Sequence, residues 1–537
     1  MKIFKQIAFV TLIASLLLAG CSSSNDNQSK GENNKDNERN KDELVLAFDS
    51  EPEAGFDPTT GWGRYGSPLF QSTLLKRDDK LNIVNDLATN YEVSEDGKVW
   101  TVKLREDVNF SDGAPLTASD VVFTFETTID NGSVVDLNAI KKVEAVDNYT
   151  VKFTLKEPQS TFVNSLVATG IVPKHAYGAD YAEKPIGSGP FELVQWDKGQ
   201  QLIVKANPQY YDKQPAFKKI TFLFLNEDAA FAAAQAGTVD LAYIPAAFSN
   251  QKVSGMTLES VQTVDNRGIV FPFVKSGGVT EDGLPIGNDV TADPAIRHAI
   301  NIGVDRQALV EGVLEGHGTP AYTSVDGLPW WNPDTVIKDG DLEGAKKLLK
   351  EAGWKDTDGD GILNKGSLKA EFTLYYQAND AIRQSLAISV ADMLKPLGIN
   401  IKLEGGSWDM IAKKMYSNPV LMGWGSHDPH EMYNIYSSES AGIEYYNTGY
   451  YQNKKVDEYF AKALSATSEE ANEFWKKAQW DGTTGLSAKG DAPWAWLVNI
   501  DHLYLVKDGL DIGDQRIHVH GHGWPATDNI VEWKWAN

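Results

Sequence analysis

From residue 44 onward the chain falls into short apolar runs separated by turn formers. Leu44-Val45-Leu46-Ala47-Phe48 predicts a strand that stops at Asp49-Ser50 and the turn formers Pro52 and Gly55. Trp100-Thr101-Val102-Lys103-Leu104 alternates at the two-residue period of a strand and precedes the Asp112-Gly113 turn. Thr117 then offers an N-cap with Asp120 three residues on, and Val121, Val122 and Phe125 give the helix an apolar face. Strands are expected at 143–146 and 151–155 around Asp147-Asn148, and again at 201–206, 220–225 and 239–242. Before the last of these, the small side chains of 229–236 predict a closely packed helix closed by Gly237. Gly187-Ser188-Gly189-Pro190-Phe191 reads as a tight crossing between units.

Beyond Asp265 the period lengthens. Asp293 can cap a helix whose first position is Pro294, and Ile296, Ile300 and Val304, then Leu309, Val310, Val313 and Leu314, recur at helical spacing. Helices over 341–352, 381–394 and 469–478 alternate with strands over 372–376 and 399–403, which is the pattern of an α/β lobe. The chain returns to strand composition at 503–506, and Ile530, Val531 and Trp533 are spaced apolar residues near its end.

The start of the chain has a different logic. Lys2 and Lys5 precede an apolar run over 7–19 that is too short to span a bilayer and reads as an export signal. It closes on Leu18-Ala19-Gly20-Cys21, which resembles the lipobox of bacterial lipoproteins, implying cleavage before Cys21 and a lipid on that cysteine. Residues 1–20 are then a signal peptide. Residues 21–43, polar after Cys21, predict a disordered tether, since they have nothing to bury. Cys21 is the only cysteine, which excludes disulfides within the chain and every multi-cysteine metal site.

At 537 residues the chain is too long for one core, so two or three units with a cleft between them are expected. A net charge of −24 with no basic stripe argues against a nucleic-acid partner.

Three stretches in order carry a family pattern: Leu87 to Trp100, Leu104 to Gly113, and Pro115 to Val121. With them stand Ile186 to Phe191, Asn207 to Tyr211, Ala295 to Asn301 with Asp305-Arg306, and Ala345 to Trp354. Together they resemble the peptide/nickel family (family 5) of extracellular solute-binding proteins across most of residues 44–500. The resemblance implies a periplasmic-binding-protein-like type II α/β fold, two lobes around a hinge with an extra subdomain in the first lobe. Lobe I would take 44–55, 190–265 and 501–537, the subdomain 56–189, and lobe II 266–500. It also implies an ABC importer, with permease transmembrane subunits and cytoplasmic ATPases as partners. The ligand would be an oligopeptide or a small nickel or other metal chelate. Oligosaccharides or opine-like solutes are alternatives within the same fold. The expected state is a monomer held by its lipid on the outer face of the bacterial cell membrane.

The residues themselves offer several ligand sites. Gly423-Trp424-Gly425-Ser426-His427-Asp428-Pro429-His430-Glu431 begins a helix at Asp428-Pro429 and sets two imidazoles and two carboxylates close together, a candidate for metal contact or for a ligand amine. His518, His520 and His522 alternate on an extended segment and are a second metal candidate. Asp356, Asp358 and Asp360, followed by Gly361, resemble half of a calcium loop, but Ser367 stands where the bidentate Glu would be, so only weak calcium binding is expected. Trp62, Tyr65, Trp408, Trp424 and Tyr446 are candidate cleft walls. Arg64 and Arg267 are candidates for a ligand carboxylate. No cofactor is required. The only cysteine is the anchor, there is no Walker loop and no His-Glu-x-x-His, and Gly187-Ser188-Gly189 lacks phosphate-loop spacing, so the expected protein is not an enzyme. A surface hydrolase or a structural or sensory lipoprotein is the alternative of another class.

Overall fold

The computed structural model describes residues 41–52, 54–132, 136–521 and 524–536. The leader, Cys21, nearly all of the tether and His522 lie outside them. Three sheets organise the described chain. The first has seven strands in the order Met256–Val261, His502–Lys507, Leu241–Ile244, Glu43–Phe48, Lys219–Phe224, Gln201–Ala206, Phe191–Asp197. Glu43–Phe48 lies near its centre, parallel to Lys219–Phe224 on one side and to Leu241–Ile244 on the other. The second has six, in the order Gly318–Pro320, Trp494–Ile500, Asn266–Val270, Val420–Met422, Glu371–Gln377, Asn400–Gly406. The third is an antiparallel four-stranded sheet, Ala88–Val93, Val99–Leu104, Thr150–Leu155 and Ile140–Asp147.

Local sequence explains the elements. In Val99–Leu104 the residues Trp100, Val102 and Leu104 are buried and their neighbours less so, and Val151, Phe153 and Leu155 repeat the pattern beside them. That apolar face receives the helix Ala118–Asp130 through Val121 and Phe125, with Phe125 edge-on to Phe153 at 4.8 Å. Thr117 and Asp120 form the expected capping box, the backbone N–H of Thr117 donating to the Asp120 carboxylate at 2.9 Å. In the second sheet the helices Pro294–Gly303, Leu342–Glu351 and Ala381–Leu394 share one core with Phe372, Leu374 and Leu497.

Two of the elements that sit off their expected positions have a local cause. The helix expected over 229–236 is Glu227–Gln235, because Asn226 caps it by accepting from the Ala229 N–H at 2.9 Å. The strand expected over 239–242 is Leu241–Ile244, because Asp240 turns its carboxylate to the Val45 N–H at 2.9 Å and to Lys507 at 3.0 Å.

The chain crosses between the two large sheets twice in these strands. Residues 262–265 link Met256–Val261 to Asn266–Val270, and Asp501 alone links Trp494–Ile500 to His502–Lys507. The Gly187 segment packs on the 69–71 backbone so closely that a Cβ at Gly187 would lie 1.9 Å from the Phe70 carbonyl oxygen.

Candidate functional site

A cavity of about 310 Å³ is lined by loops and short helices that connect the strands of the sheets. One wall is the loop from Gly63 to Pro68 with Arg77, and Asn164 and Ser165 of the helix Phe162–Ala168 add to it. The facing wall is the loop after the strand Val420–Met422, carrying Trp424, Ser426, His427 and Asp428, together with His430 and Glu431 at the start of the helix His430–Tyr436. Tyr446 lies beside Trp424, with ring centroids 5.8 Å apart, and Arg516 and Asp528 close the cavity from the C-terminal segment.

The facing loop is held tightly to the crossing strand. At Gly425, φ is +149°, and a Cβ would stand 2.2 Å from the Val264 carbonyl oxygen, so only glycine passes. Asp428 accepts from the His430 N–H at 2.9 Å and from the Asn164 amide at 3.0 Å, and the loop turns into the helix at Pro429. That turn brings the Glu431 carboxyl back over the loop, where it accepts the Gly425 N–H at 3.1 Å.

Burial, with Asp428 beside it, pushes the Glu431 carboxyl up to about 8. Burial also raises Asp428. His427 moves the other way: burial first, then Arg77 and Arg516, lower its imidazole to about 3, so it is neutral. Its Nε2 is buried and has no hydrogen-bond partner among the described residues. Burial lifts Tyr65 and brings Tyr446 to about 12, so both phenols keep their protons. Arg64 lies over the Tyr65 ring at 4.4 Å. The cavity is thus a polar chamber with an acidic patch, arginines and aromatic faces, able to hold a small solute bearing charges of both signs.

The walls touch each other directly. Arg77 bonds the Asn164 side chain and the His427 carbonyl, and Arg516 pairs with Asp528 and donates to the Arg77 carbonyl at 3.1 Å. Farther out, Ser160 donates its N–H to the Leu464 carbonyl at 2.7 Å and its hydroxyl to that of Ala463 at 2.8 Å. Thr161 Oγ1 is 3.5 Å from His430 Nδ1.

Of the residues singled out in the sequence, Arg64, Tyr65, Trp424, His427, His430, Glu431 and Tyr446 line this cavity. Trp62, Arg267 and Trp408 are not among its lining residues. Trp62 donates to the Pro68 carbonyl at 2.7 Å and packs edge-on against Phe56 and Trp524. Arg267 is buried in an ion pair with Asp265. Trp408 opens a short helix, with the Arg383 guanidinium 5.5 Å from its ring centroid. His518 and His520 lie at the crossing between the sheets, against His502 and Asp265. Among the described residues, the one group of three or more His, Cys, Asp or Glu side chains close enough to share a metal ion is Asp356, Asp358 and Asp360, and Lys369 is paired with Asp358 and Asp360. Sequence reasoning passed over Arg77, Asn164, Arg516 and Asp528, which lie in ordinary polar stretches with no motif to mark them.

The family model "Bacterial extracellular solute-binding proteins, family 5 Middle" matches residues 82–445. The chain is 34% identical to Protein XP55 of Streptomyces lividans over 484 residues, covering 87% of this chain and 85% of that one. It is 30% identical to the oligopeptide-binding protein AppA of Bacillus subtilis over 499 residues, with coverages of 87% and 89%. Among solved structures it is similar to NikZ from Campylobacter jejuni in complex with Ni(L-His), with a TM-score of 0.77 and 26% identity, covering 92% of this chain and all of that one.

Proposed function

The chain belongs to family 5 of the bacterial extracellular solute-binding proteins, and on that premise we propose that its cavity takes a short peptide with a free amino terminus. The observation that carries this reading is Glu431. A buried carboxyl raised to about 8 beside a second carboxyl is an acid awaiting a positive charge, and a ligand ammonium supplies one. Arg64 on the opposite wall suits a carboxylate, and Trp424, Tyr65 and Tyr446 offer apolar faces to side chains of varied shape. A cavity of about 310 Å³ suits a peptide of two or three residues. AppA, which the chain resembles over most of its length, is named for oligopeptides.

A second reading rests on His427. Its neutral, unpartnered Nε2, with His430 on the same wall, offers nitrogen to a metal that arrives already chelated and needs few further ligands. NikZ, of similar fold, was solved with Ni(L-His). On either reading the protein delivers its solute to the permease of an ABC importer from the outer face of the membrane, held there by a lipid on Cys21. No catalytic step is assigned to it.

Calorimetry separates the readings. Tri-alanine should bind and its N-acetylated form should bind at least about 30-fold more weakly, since acetylation removes the charge that would pair with Glu431, an interaction worth roughly 2 kcal/mol or more. Binding of nickel with L-histidine that vanishes in His427→Ala and His430→Ala, with no peptide binding, would select the chelate. Equal binding of both peptide forms would overturn the amine assignment.

A further inference from the structure

Arg64, Lys76, Arg77 and Arg516 all line the cavity, and their charges are met in different ways. Lys76 lies 3.6 Å from Asp86 and 3.0 Å from Asp212, and Arg516 is paired with Asp528. Arg64 is laid over the Tyr65 ring at 4.4 Å. Arg77, half-buried, is held by neutral oxygens: Nη1 donates to the Leu81 carbonyl at 3.0 Å, and Nη2 to the His427 carbonyl at 2.7 Å and to the Asn164 side chain. It takes part in no ion pair among the described residues. Asp428 reaches it only across Asn164, which accepts from Arg77 and donates to Asp428 at 3.0 Å. Arg516 adds positive charge beside it, donating to the Arg77 carbonyl at 3.1 Å. Burial first, with Asp428 opposing and Arg516 assisting, brings the Arg77 guanidinium down to about 10, so it is still cationic at neutral pH.

A guanidinium carries N–H groups on all its nitrogens, and in Arg77 the Nε–H and the second Nη1–H have no hydrogen-bond partner among the described residues. A cation with spare donors and no counter-ion is the complement of an anion. Its place is fixed relative to Glu431. The Glu431 carboxyl accepts the Gly425 N–H at 3.1 Å, and Arg77 donates to the His427 carbonyl, so both groups are fastened to the stretch Gly425-Ser426-His427. The first nitrogen and the last oxygen of three residues lie at most about 11 Å apart however the chain bends. An extended peptide of two or three residues spans roughly 7–11 Å, and one of five residues roughly 17 Å.

We infer that Arg77 seats the carboxylate of the solute while Glu431 meets its amine, so that the cavity reads both charged ends of a short peptide. The seat rests on the peptide reading proposed above and supplies its second terminus. Arg77 takes this role rather than Arg64, whose guanidinium already has an aromatic face beneath it. The wall tie and the seat use different N–H groups: Nη2 holds His427 and Asn164, while Nε–H and the spare Nη1–H are left for the ligand. With both ends of the ligand fastened to one short loop, length is selected by charge spacing, and side chains are left to the rings of Tyr65, Trp424 and Tyr446.

Calorimetry with tri-alanine and its C-terminal amide tests the seat, because the amide loses the charge and keeps the shape. The wild type should bind the amide at least about tenfold more weakly. In Arg77→Gln, tri-alanine should fall by about tenfold and the two forms should become equal, whereas loss of the wall tie alone would weaken both alike. Arg77→Lys should keep a preference for the acid, since the charge remains. Arg64→Gln should weaken both forms and preserve their ratio. Penta-alanine should bind the wild type at least about tenfold more weakly than tri-alanine. Equal binding of acid and amide by the wild type, a comparison that needs no variant to fold, would overturn the seat. So would an acid preference that survives Arg77→Gln or vanishes in Arg64→Gln, and penta-alanine bound as tightly as tri-alanine would overturn its pairing with Glu431. If tri-alanine does not bind at all, the peptide reading fails by itself. Nickel with L-histidine carries the same carboxylate, and its binding must then fall in Arg77→Gln and return in part in Arg77→Lys, or the seat is overturned too.

Discussion

Arg77 donates through Nη2 to the backbone carbonyl of His427 at 2.7 Å, from one wall of the cavity to the other. The same nitrogen bonds Asn164, whose amide holds Asp428 at 3.0 Å, so the two walls are tied directly to each other. Arg77→Ala should loosen this tie, raising the ligand dissociation rate about tenfold for roughly 1.5 kcal/mol of charged hydrogen bonding lost. Stopped-flow release of bound peptide would measure it. Arg77→Lys should recover only part, because an ammonium cannot hold Asn164, Leu81 and His427 with one planar fork.

On the proposed amine reading, Glu431 should make ligand capture a proton-releasing event. At pH 7 its carboxyl, raised to about 8, is mostly protonated, and a bound ammonium should ionise it. Calorimetry in buffers of different ionisation heat should show close to one proton released in the wild type and none in Glu431→Gln.

The same shift bears on stability. A carboxyl whose folded value lies above its ordinary 4.5 binds more protons folded than unfolded, so stability falls as pH rises from about 4.5 to 8. Glu431→Gln should flatten that decline and leave the variant more stable by about 4 kcal/mol at pH 8, read from urea unfolding at several pH values.

Gly187 and Gly312 should respond to alanine in opposite ways. A methyl at Gly187 meets the Phe70 carbonyl at 1.9 Å and should cost more than about 2 kcal/mol. A methyl at Gly312, inside the helix Arg306–Val313 with nothing within 4 Å, should stabilise by about 0.5–1 kcal/mol. Equilibrium unfolding gives both.

Lys369 holds the place a cation would take between Asp358 and Asp360. Millimolar calcium should therefore raise the melting temperature of Lys369→Ala more than that of the wild type, as calorimetric scans with and without chelator would show.

What the sequence made legible was whatever repeats or caps. The four-stranded sheet, its Thr117-capped helix and the helices after Pro294 announce themselves through alternation, caps and helical spacing. Trp494–Ile500 does not, because all seven residues are buried and a strand covered on both faces has no alternation to read. The cavity divides in the same way. Trp424, His427, His430 and Glu431 share one short motif and could be seen together. Arg77 and Asn164 meet them only through folding, from positions 350 and 264 residues away from their partners His427 and Asp428. Arg267 looked like a ligand-binding residue because an arginine in sequence carries no mark of the aspartate two positions earlier that it neutralises.

The order of strands in the seven-stranded sheet sets when this protein can exist at all. His502–Lys507 lies between Leu241–Ile244 and Met256–Val261, so a ribosome must add more than 240 residues after Met256–Val261 before that gap is filled. Until then the growing polypeptide carries an unfilled row of backbone donors and acceptors and cannot complete this sheet. For a chain bound for export, that delay keeps it threadable through a narrow translocation channel, and the finished receptor assembles only on the far side.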